Sequence, residues 1–313
     1  MCCKKLEKLE FSVIITIYNK EKDIAQTLRS VYAQTYSPKE IIIVNDGSTD
    51  NSLQVVRQLA DDRVRIIDQA NQGVSVARNT GISAAECEYL ALLDGDDLWK
   101  ENMLACMAGL IAEFPDCGLY GSNYELCAGE DAQPMREPTG KNFIIDKDKY
   151  FADEQENRRL WSSAVVLRKS VMRDSPGFEP GRKIGEDLRV WIELLTRYDA
   201  GYCDRVLAVY NLSASNMNSA KKHDRRDSAA ADILERAIEQ GHPNAAAMTG
   251  YLNNARRELY LYNMINGNRE YARGLARKLT GISSLKRSVM VLITRLPAGM
   301  GRLSARVLNK LKL

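Results

Sequence analysis

The sequence predicts an α/β protein built on an open, mainly parallel sheet flanked by helices, with a helical extension toward its C-terminal end. Three observations lead there. Through the first 125 residues, short β-branched runs alternate with helical patterns, as βαβ units do. Polar and acidic clusters stand directly after the apolar runs, where ligands gather in such sheets. Beyond Tyr210 the strand signals stop and helical periodicity alone is left.

Strands are expected at Ser12 to Ile17, Glu40 to Asn45, Val64 to Asp68, Tyr89 to Leu93 and near Gly118 to Tyr124, each a run rich in Val, Ile, Leu or Tyr. Helices fill the gaps at Lys22 to Tyr32, Ser52 to Ala60, Gly73 to Ala84 and Glu101 to Glu113. From Glu125 to Asn157, Gly129, Pro134, Pro138 and Gly140 break any long element, which predicts loops and one short helix near Asp146 to Ala152. Trp161 to Leu167 reads as a strand, and Glu186 to Tyr198 as a helix with Leu188, Trp191, Leu194 and Leu195 as its apolar residues. Further helices follow at Ser228 to Gln240, Pro243 to Ile265 and Arg269 to Leu279, then two basic amphipathic pieces on either side of Pro297. The boundary between Asn211 and Asp227 divides the chain into an α/β part, 1–215, and a helical part, 216–313.

Composition narrows the function. Hydrophobic residues at 45% and charged residues at 27% leave enough apolar material for a core. A net charge of +3 is too small to argue for nucleic acid, and no nucleic-acid partner is expected. Seven cysteines without a CxxC pair suit reduced thiols and a cytoplasmic setting, and two histidines give a histidine-based triad or metal centre little to work with. No GxGxxG follows the first strand, which sets a dehydrogenase aside. The N-terminal residues lack a signal-peptide apolar region, and no stretch approaches the roughly 18 apolar residues of a membrane span.

The sharpest local feature is Asp94-Gly95-Asp96-Asp97, directly after the apolar Leu90-Ala91-Leu92-Leu93. Three carboxylates after one strand repel unless a cation or a helix cap answers them, and Mg²⁺ or Mn²⁺ takes few carboxylates together with phosphate oxygens. Asp96 is expected as the metal ligand, Asp94 on the metal or a ribose, and Asp97 as a helix cap. At the ends of the first two strands, Tyr18 could stack and Asp46 could accept a base N–H; equally, Asp46-Gly47 could be a turn, with Ser48 and Asp50 capping the next helix. Glu186-Asp187 reads either as catalytic acids or as first-turn acids answering the helix dipole. Trp161 could stack on a sugar or pack in the core.

Six segments in order, SVIITIYNK, EIIIVNDGSTD, NQGVSVARNTGI, LALLDGDDLW, WSSAVVLRKS and GEDLRVWIEL, resemble family 2 glycosyltransferases of GT-A fold over about Ser12 to Leu195. The resemblance implies an inverting transfer of sugar from a nucleotide-diphosphate donor, a UDP-sugar foremost, to a hydroxyl of a glycan or lipid-linked acceptor in cell-surface polysaccharide synthesis. It implies that Thr16, Tyr18 and Asp46 bind the nucleotide, that Arg78 and Asn79 lie on the donor side, that Asp94 and Asp96 serve metal and ribose, and that Asp187 is the base with Glu186 beside it. Mn²⁺ or Mg²⁺ is the implied cofactor. The chain departs from the family pattern twice: Asn45 precedes Asp46 where two acids are common, and no histidine stands shortly after Tyr210, His223 being too far along, which leaves a third protein ligand unassigned. Two other classes are alternatives. A sugar-nucleotide nucleotidyltransferase would show a Gly-rich basic loop where Tyr18-Asn19-Lys20 stands, and a non-catalytic glycan-binding scaffold would not need Asp96 and Asp187.

After Glu270, 43 residues hold ten Lys or Arg and no acid. Leu285, Val289, Leu292, Ile293 and Leu296 share one helical face, and Leu303, Val307 and Leu311 another. A tail of this kind, 285–313, can lie on an anionic membrane face, pack on the rest of the chain, or join two copies as a homo-oligomer.

Overall fold

The computed structural model describes residues 9–129, 131–152, 160–182, 184–212 and 227–295. The described residues form two compact units: one runs to Tyr150 and continues from 160 to 212, and the other joins Phe151 and Ala152 to 227–295.

The first unit begins β1 (Phe11–Ile17), α1 (Ile24–Tyr32), β2 (Glu40–Asp46), α2 (Ser52–Leu59), β3 (Val64–Gln69), α3 (Val74–Ala84) and β4 (Tyr89–Asp94). It continues β5 (Leu98–Trp99), α4 (Met103–Glu113), β6 (Leu119–Ala128), β7 (Asp131–Pro134), β8 (Asn142–Ile145) and α5 (Lys147–Tyr150). After a 3₁₀ turn at Ser162–Ala164 come β9 (Val165–Arg168), α6 (Lys169–Met172), α7 (Glu186–Leu195) and β10 (Ala200–Asn211). The ten strands form one sheet ordered β3-β2-β1-β4-β9-β6-β10-β5, with β7 beside β6 and β8 beside β10. Neighbours from β3 to β4 are parallel, β9 runs antiparallel to β4 and β6, and β6 and β10 are parallel to each other.

Alternation along β1 explains why both faces are covered. Phe11, Val13, Ile15 and Ile17 point into a core shared with Ile24, Leu28 and Val31 of α1 and Met103, Met107 and Leu110 of α4. Ile14 points the other way, so close to α3 that a methyl group on Gly81 would collide with it. Buried on both faces, β1, β2 and β4 read as continuous apolar runs.

Strand order reverses between β1 and β4. Thr16 pairs in register with Asp94 there, and Asp46 ends the adjacent β2, so the residues expected to bind the donor share one sheet edge.

The fold differs from expectation in four places. The stretch expected as loops contains β7 and β8; β7 is exposed throughout and carries no apolar alternation. The strand expected over Trp161 to Leu167 starts only at Val165, because Ser162–Ala164 coils into the 3₁₀ turn. The 12-residue β10 has no counterpart among the expected elements: Gly201, Asp204 and Arg205 interrupt its pattern, and its register with β6 shifts between Cys203 and Val206. Asp97 is no helix cap. Leu98 and Trp99 follow it as a strand, and α4 begins only at Met103, after Asn102.

The second unit contains α8 (Ala231–Glu239), α9 (Ala245–Ile265), α10 (Arg269–Lys278) and α11 (Ser284–Ile293). Its core gathers Tyr260, Met264, Ala272, Leu275, Leu279 and Met290, and the Tyr260 hydroxyl donates to the Met290 carbonyl at 2.8 Å. Arg256, buried, holds Asp227 at 2.9 and 3.0 Å and Glu235 at 2.5 Å. No described helix is long and apolar enough to cross a membrane. Leu296 and the second basic piece, with Leu303, Val307 and Leu311, lie outside the described residues.

Candidate active site

The carboxyl edge of β1, β2 and β4 is a network of acids, each answered by a specific donor. Asp94, ending β4, accepts both contacts from one guanidinium nitrogen of Arg78, at 2.8 and 3.0 Å, and lies 3.4 Å from the Thr16 hydroxyl. The other terminal nitrogen of Arg78 donates to Glu186 Oε1 at 3.0 Å. Arg78 is 3% exposed and lies over the Phe178 ring. Burial by itself would lower its pKa, but Asp94, Glu186 and Asp187 outweigh burial and raise it, so the guanidinium stays charged.

Asp96 is 7% exposed and pairs with the Lys20 ammonium at the head of α1. Burial raises its pKa despite that partner. Asp97 is 1% exposed; its carboxylate accepts from the Ser163 hydroxyl at 2.6 Å and from the Asn211 amide at 3.2 Å. Burial, then Asp94 and Asp96, push it well above the usual carboxylate range. Ser163 also accepts from the Asp94 amide at 3.1 Å, so the 3₁₀ turn fixes both ends of the acidic loop. Gly95 lets that loop press on β1: its amide donates to the Thr16 carbonyl at 3.0 Å, and an added Cβ would stand 2.9 Å from the same oxygen.

Asp187 stands in the first turn of α7. Ser162 donates to its Oδ2 at 3.1 Å, and the Leu188 amide to its Oδ1 at 2.7 Å. Glu186 beside it is pushed upward by burial and by Asp187, against the pull of Arg78. The buried Arg78 thus joins the Asp94 loop to the Glu186-Asp187 turn in one partly exposed cluster.

Asp46 is 3% exposed, and both of its oxygens are engaged: Oδ1 by Gln69 at 2.8 Å and the Gln72 amide at 2.9 Å, Oδ2 by the Gly73 amide at 2.8 Å. Gly47 turns with φ +69°, as the turn reading requires. Tyr18, 47% exposed, is open at the end of β1. Asn19 takes a left-handed φ of +52° and ties the two strand ends together, donating to Ser48 at 3.0 Å and accepting from the Thr49 amide at 2.8 Å. Ser48 therefore faces Asn19 rather than capping α2, whereas Asp50 does accept the Ser52 amide, at 2.9 Å.

With this geometry in hand, the chain can be set beside known proteins. The model of glycosyl transferase family 2 matches residues 12–175, just over half of the chain. The chain belongs to that family. The glycosyltransferase GlyG of Streptococcus pneumoniae is 36% identical over 189 residues, 56% of this chain and 62% of GlyG. WfgD of Escherichia coli, a UDP-Glc:alpha-D-GlcNAc-diphosphoundecaprenol beta-1,3-glucosyltransferase, is 28% identical over 213 residues, 67% of this chain and 80% of WfgD. The chain spans less than two thirds of the length of the first relatives it matches. Among solved structures, TarS of S. aureus in complex with UDP-GlcNAc shares the GT-A fold with a TM-score of 0.68 at 16% identity, over 95% of this chain and 88% of that one.

In this family 2 chain Asn79 serves the scaffold: its amide donates to the Phe178 carbonyl at 2.7 Å and accepts the Phe178 amide at 3.0 Å. Trp161 is half-buried between Tyr124, at 4.6 Å, and Tyr210, at 4.9 Å. Trp99 is a core residue, donating to the Ser163 carbonyl at 2.6 Å. For a divalent cation, Asp94 and Asp96 could supply two carboxylates, while Asp97 is taken up by Ser163 and Asn211. Among the described residues no cluster of three His, Cys, Asp or Glu forms a ready cage. That donor set fits an ion completed by diphosphate and water, the usual habit of Mg²⁺. Lys20, Ser162 and Ser163 escaped sequence reasoning as site residues, because a lone Lys or Ser beside a motif carries no spacing signal.

Proposed function

We propose that this family 2 protein is an inverting glycosyltransferase that moves a sugar from a nucleotide-diphosphate donor, a UDP-sugar first, to a hydroxyl of a glycan or lipid-linked acceptor in cell-surface polysaccharide synthesis. The observation that carries this reading is the buried Arg78 bridge, which gathers the Asp94 loop and the Glu186-Asp187 turn around one cluster. The WfgD and TarS names support the donor class and the acceptor setting.

In this reading Thr16, Tyr18 and Asp46 line the nucleoside seat. Asp46 holds the loop at Gln72 and Gly73 and meets the base through that loop or after releasing it. Arg78 keeps Asp94 oriented toward ribose and diphosphate. Asp187 removes the acceptor hydroxyl proton as that oxygen attacks the anomeric carbon, a contribution worth roughly 10²- to 10⁴-fold in rate. Ser162 orients the carboxylate for this task, and Trp161 with its two tyrosines offers an aromatic wall for the acceptor sugar. Asp96, with Asp94, would hold Mn²⁺ or Mg²⁺; once bound, the ion offsets charge developing on the diphosphate, worth several kcal/mol. Lys20, paired with Asp96, would have to give up that carboxylate to the ion.

The deciding experiment measures nucleoside diphosphate release from a panel of UDP-, GDP- and TDP-sugars with Mn²⁺ or Mg²⁺, with and without a chelator. Release confined to one donor and abolished by chelation is expected. Release from none of them, with lipid-linked and glycan acceptors present, would sink the reading.

One observation favours a peripheral membrane role as well. Leu285 and Leu292 on α11 are 73% and 60% exposed, with Lys286, Arg287 and Arg295 nearby, while Met290 of the same helix is buried. An outward apolar strip flanked by cations suits an anionic lipid surface. A Leu285→Ser, Leu292→Ser double variant should lose co-sedimentation with phosphatidylglycerol vesicles, and equal recovery of both proteins would remove this role.

A further inference from the structure

Away from the donor edge, α4 and β10 bring two thiols together. Cys106 projects from α4, half-buried. Cys203 and Arg205 flank Asp204 in β10. Arg205 Nη1 donates to Cys106 Sγ at 3.7 Å. Cys203, with no exposed surface, belongs to the core that Cys106 packs against, and the two thiols bear on each other's ionisation. The shift in register between Cys203 and Val206 lifts Asp204 and Arg205 out of the regular ladder. Asp204 accepts from Thr139 at 2.7 Å, and Arg205, exposed, is left to reach Cys106.

A neighbouring thiol and a guanidinium aimed at one sulfur favour its thiolate. Cys203 foremost, then Arg205, hold Cys106 down at about 6 against burial, while Cys203 is pushed upward. The contrast within the chain is informative. Burial raises Cys87 and carries Cys117 up to about 11, and among the described residues no cation sits at hydrogen-bond distance from either.

We propose that Cys106 and Cys203 form an oxidisable dithiol site at which hydrogen peroxide installs a reversible disulfide between α4 and β10. The Cys106 thiolate attacks one peroxide oxygen, the O–O bond breaks, and hydroxide leaves; sulfur is oxidised to the sulfenic acid as peroxide is reduced. Cys203 then attacks the Cys106 sulfur. The S–S bond forms, the S–O bond breaks, and the Cys203 proton departs with the hydroxyl as water. Nothing in this chemistry depends on the identity of the sugar donor.

The test treats the full chain with a small excess of hydrogen peroxide, alkylates remaining thiols under denaturing conditions, and maps peptides before and after dithiothreitol. A dithiothreitol-sensitive peptide pair joining Cys106 to Cys203 is expected. Cys203→Ser should stop at a sulfenic acid on Cys106 that dimedone labels. Arg205→Gln, a change at an exposed residue that leaves the core intact, should slow peroxide consumption at Cys106 several-fold. Full alkylation of both cysteines after peroxide, a disulfide joining other cysteines, or an Arg205→Gln rate equal to that of the parent would overturn the proposal.

Discussion

One guanidinium, that of Arg78, spans the two halves of the candidate site, 2.8 Å from Asp94 on one side and 3.0 Å from Glu186 on the other. Both partners are partly exposed carboxylates that would otherwise lie near each other with no cation between them. Lysine carries the charge but lacks the planar fork that serves two acceptors at once. Arg78→Lys should therefore fold, yet lose about 10²-fold in kcat/KM through misplacement of Asp94. Arg78→Met should also melt at a lower temperature, since it leaves two acids unanswered. Steady-state kinetics with a thermal melt would check both, and unchanged kinetics for Arg78→Lys would show that the bridge is a scaffold feature alone.

For the assigned base, Asp187→Asn should bind donor normally and turn over roughly 10²- to 10⁴-fold more slowly. Ser162→Ala removes the 3.1 Å contact to Asp187 Oδ2 and should lower kcat modestly with little change in donor KM. Comparable turnover in Asp187→Asn would move the base elsewhere, Glu186 first.

In the proposed reading, a divalent cation must displace Lys20 from its ion pair with Asp96. Lys20→Gln removes the competitor, an interaction on the order of 1 kcal/mol for a partly exposed pair, so the Mn²⁺ concentration for half-maximal activity should fall about fivefold. Asp96→Asn should instead raise it. A higher Mn²⁺ requirement in Lys20→Gln would assign Lys20 to the diphosphate.

Much of this could be read from the sequence, and the exceptions have physical causes. The runs in β1, β2 and β4 are buried on both faces, so the apolar stretches alone located them, and the acids after them fell on the expected edge. The sequence left β7 hidden because all its side chains are exposed, and β10 because a register shift at Asp204 and Arg205 breaks its alternation. Asp97 read as a helix cap because caps are local and frequent; its true partners, Ser163 and Asn211, come from 66 and 114 residues away, a distance no local pattern reports. Arg78 was placed by resemblance, and the Lys20 and Ser162 contacts only by the fold.

Gly95 offers a test of how the acidic loop is held. A Cβ there would stand 2.6 Å from Ile17 Cγ2 and 2.9 Å from the Thr16 carbonyl, and the latter is backbone that cannot step aside. Gly95→Ala should cost about 1–3 kcal/mol of stability, as overpacked sites do. It should also impair turnover, because Asp94 and Asp96 flank the displaced position. A melt within a degree of the parent would mean that the loop and β1 separate readily.

In the helical unit, Asp227 supplies the pH-sensitive contact. Burial would raise its pKa, but hydrogen bonds from Arg256 and Lys278 outweigh burial and lower it. A carboxylate depressed in the folded state adds stability at pH values above its unfolded pKa, about 3.9, and that stability is lost as pH falls through the folded value. At neutral pH Asp227→Asn should cost about 2 kcal/mol, the worth of hydrogen bonds to a charged group. Once pH falls below the depressed folded value the parent is protonated too, so the difference should close. Far-UV circular dichroism melts of both proteins from neutral to acid pH measure this directly. A gap that stayed constant across the range would mean that the substituted amide costs stability through packing, with the charge of Asp227 contributing nothing.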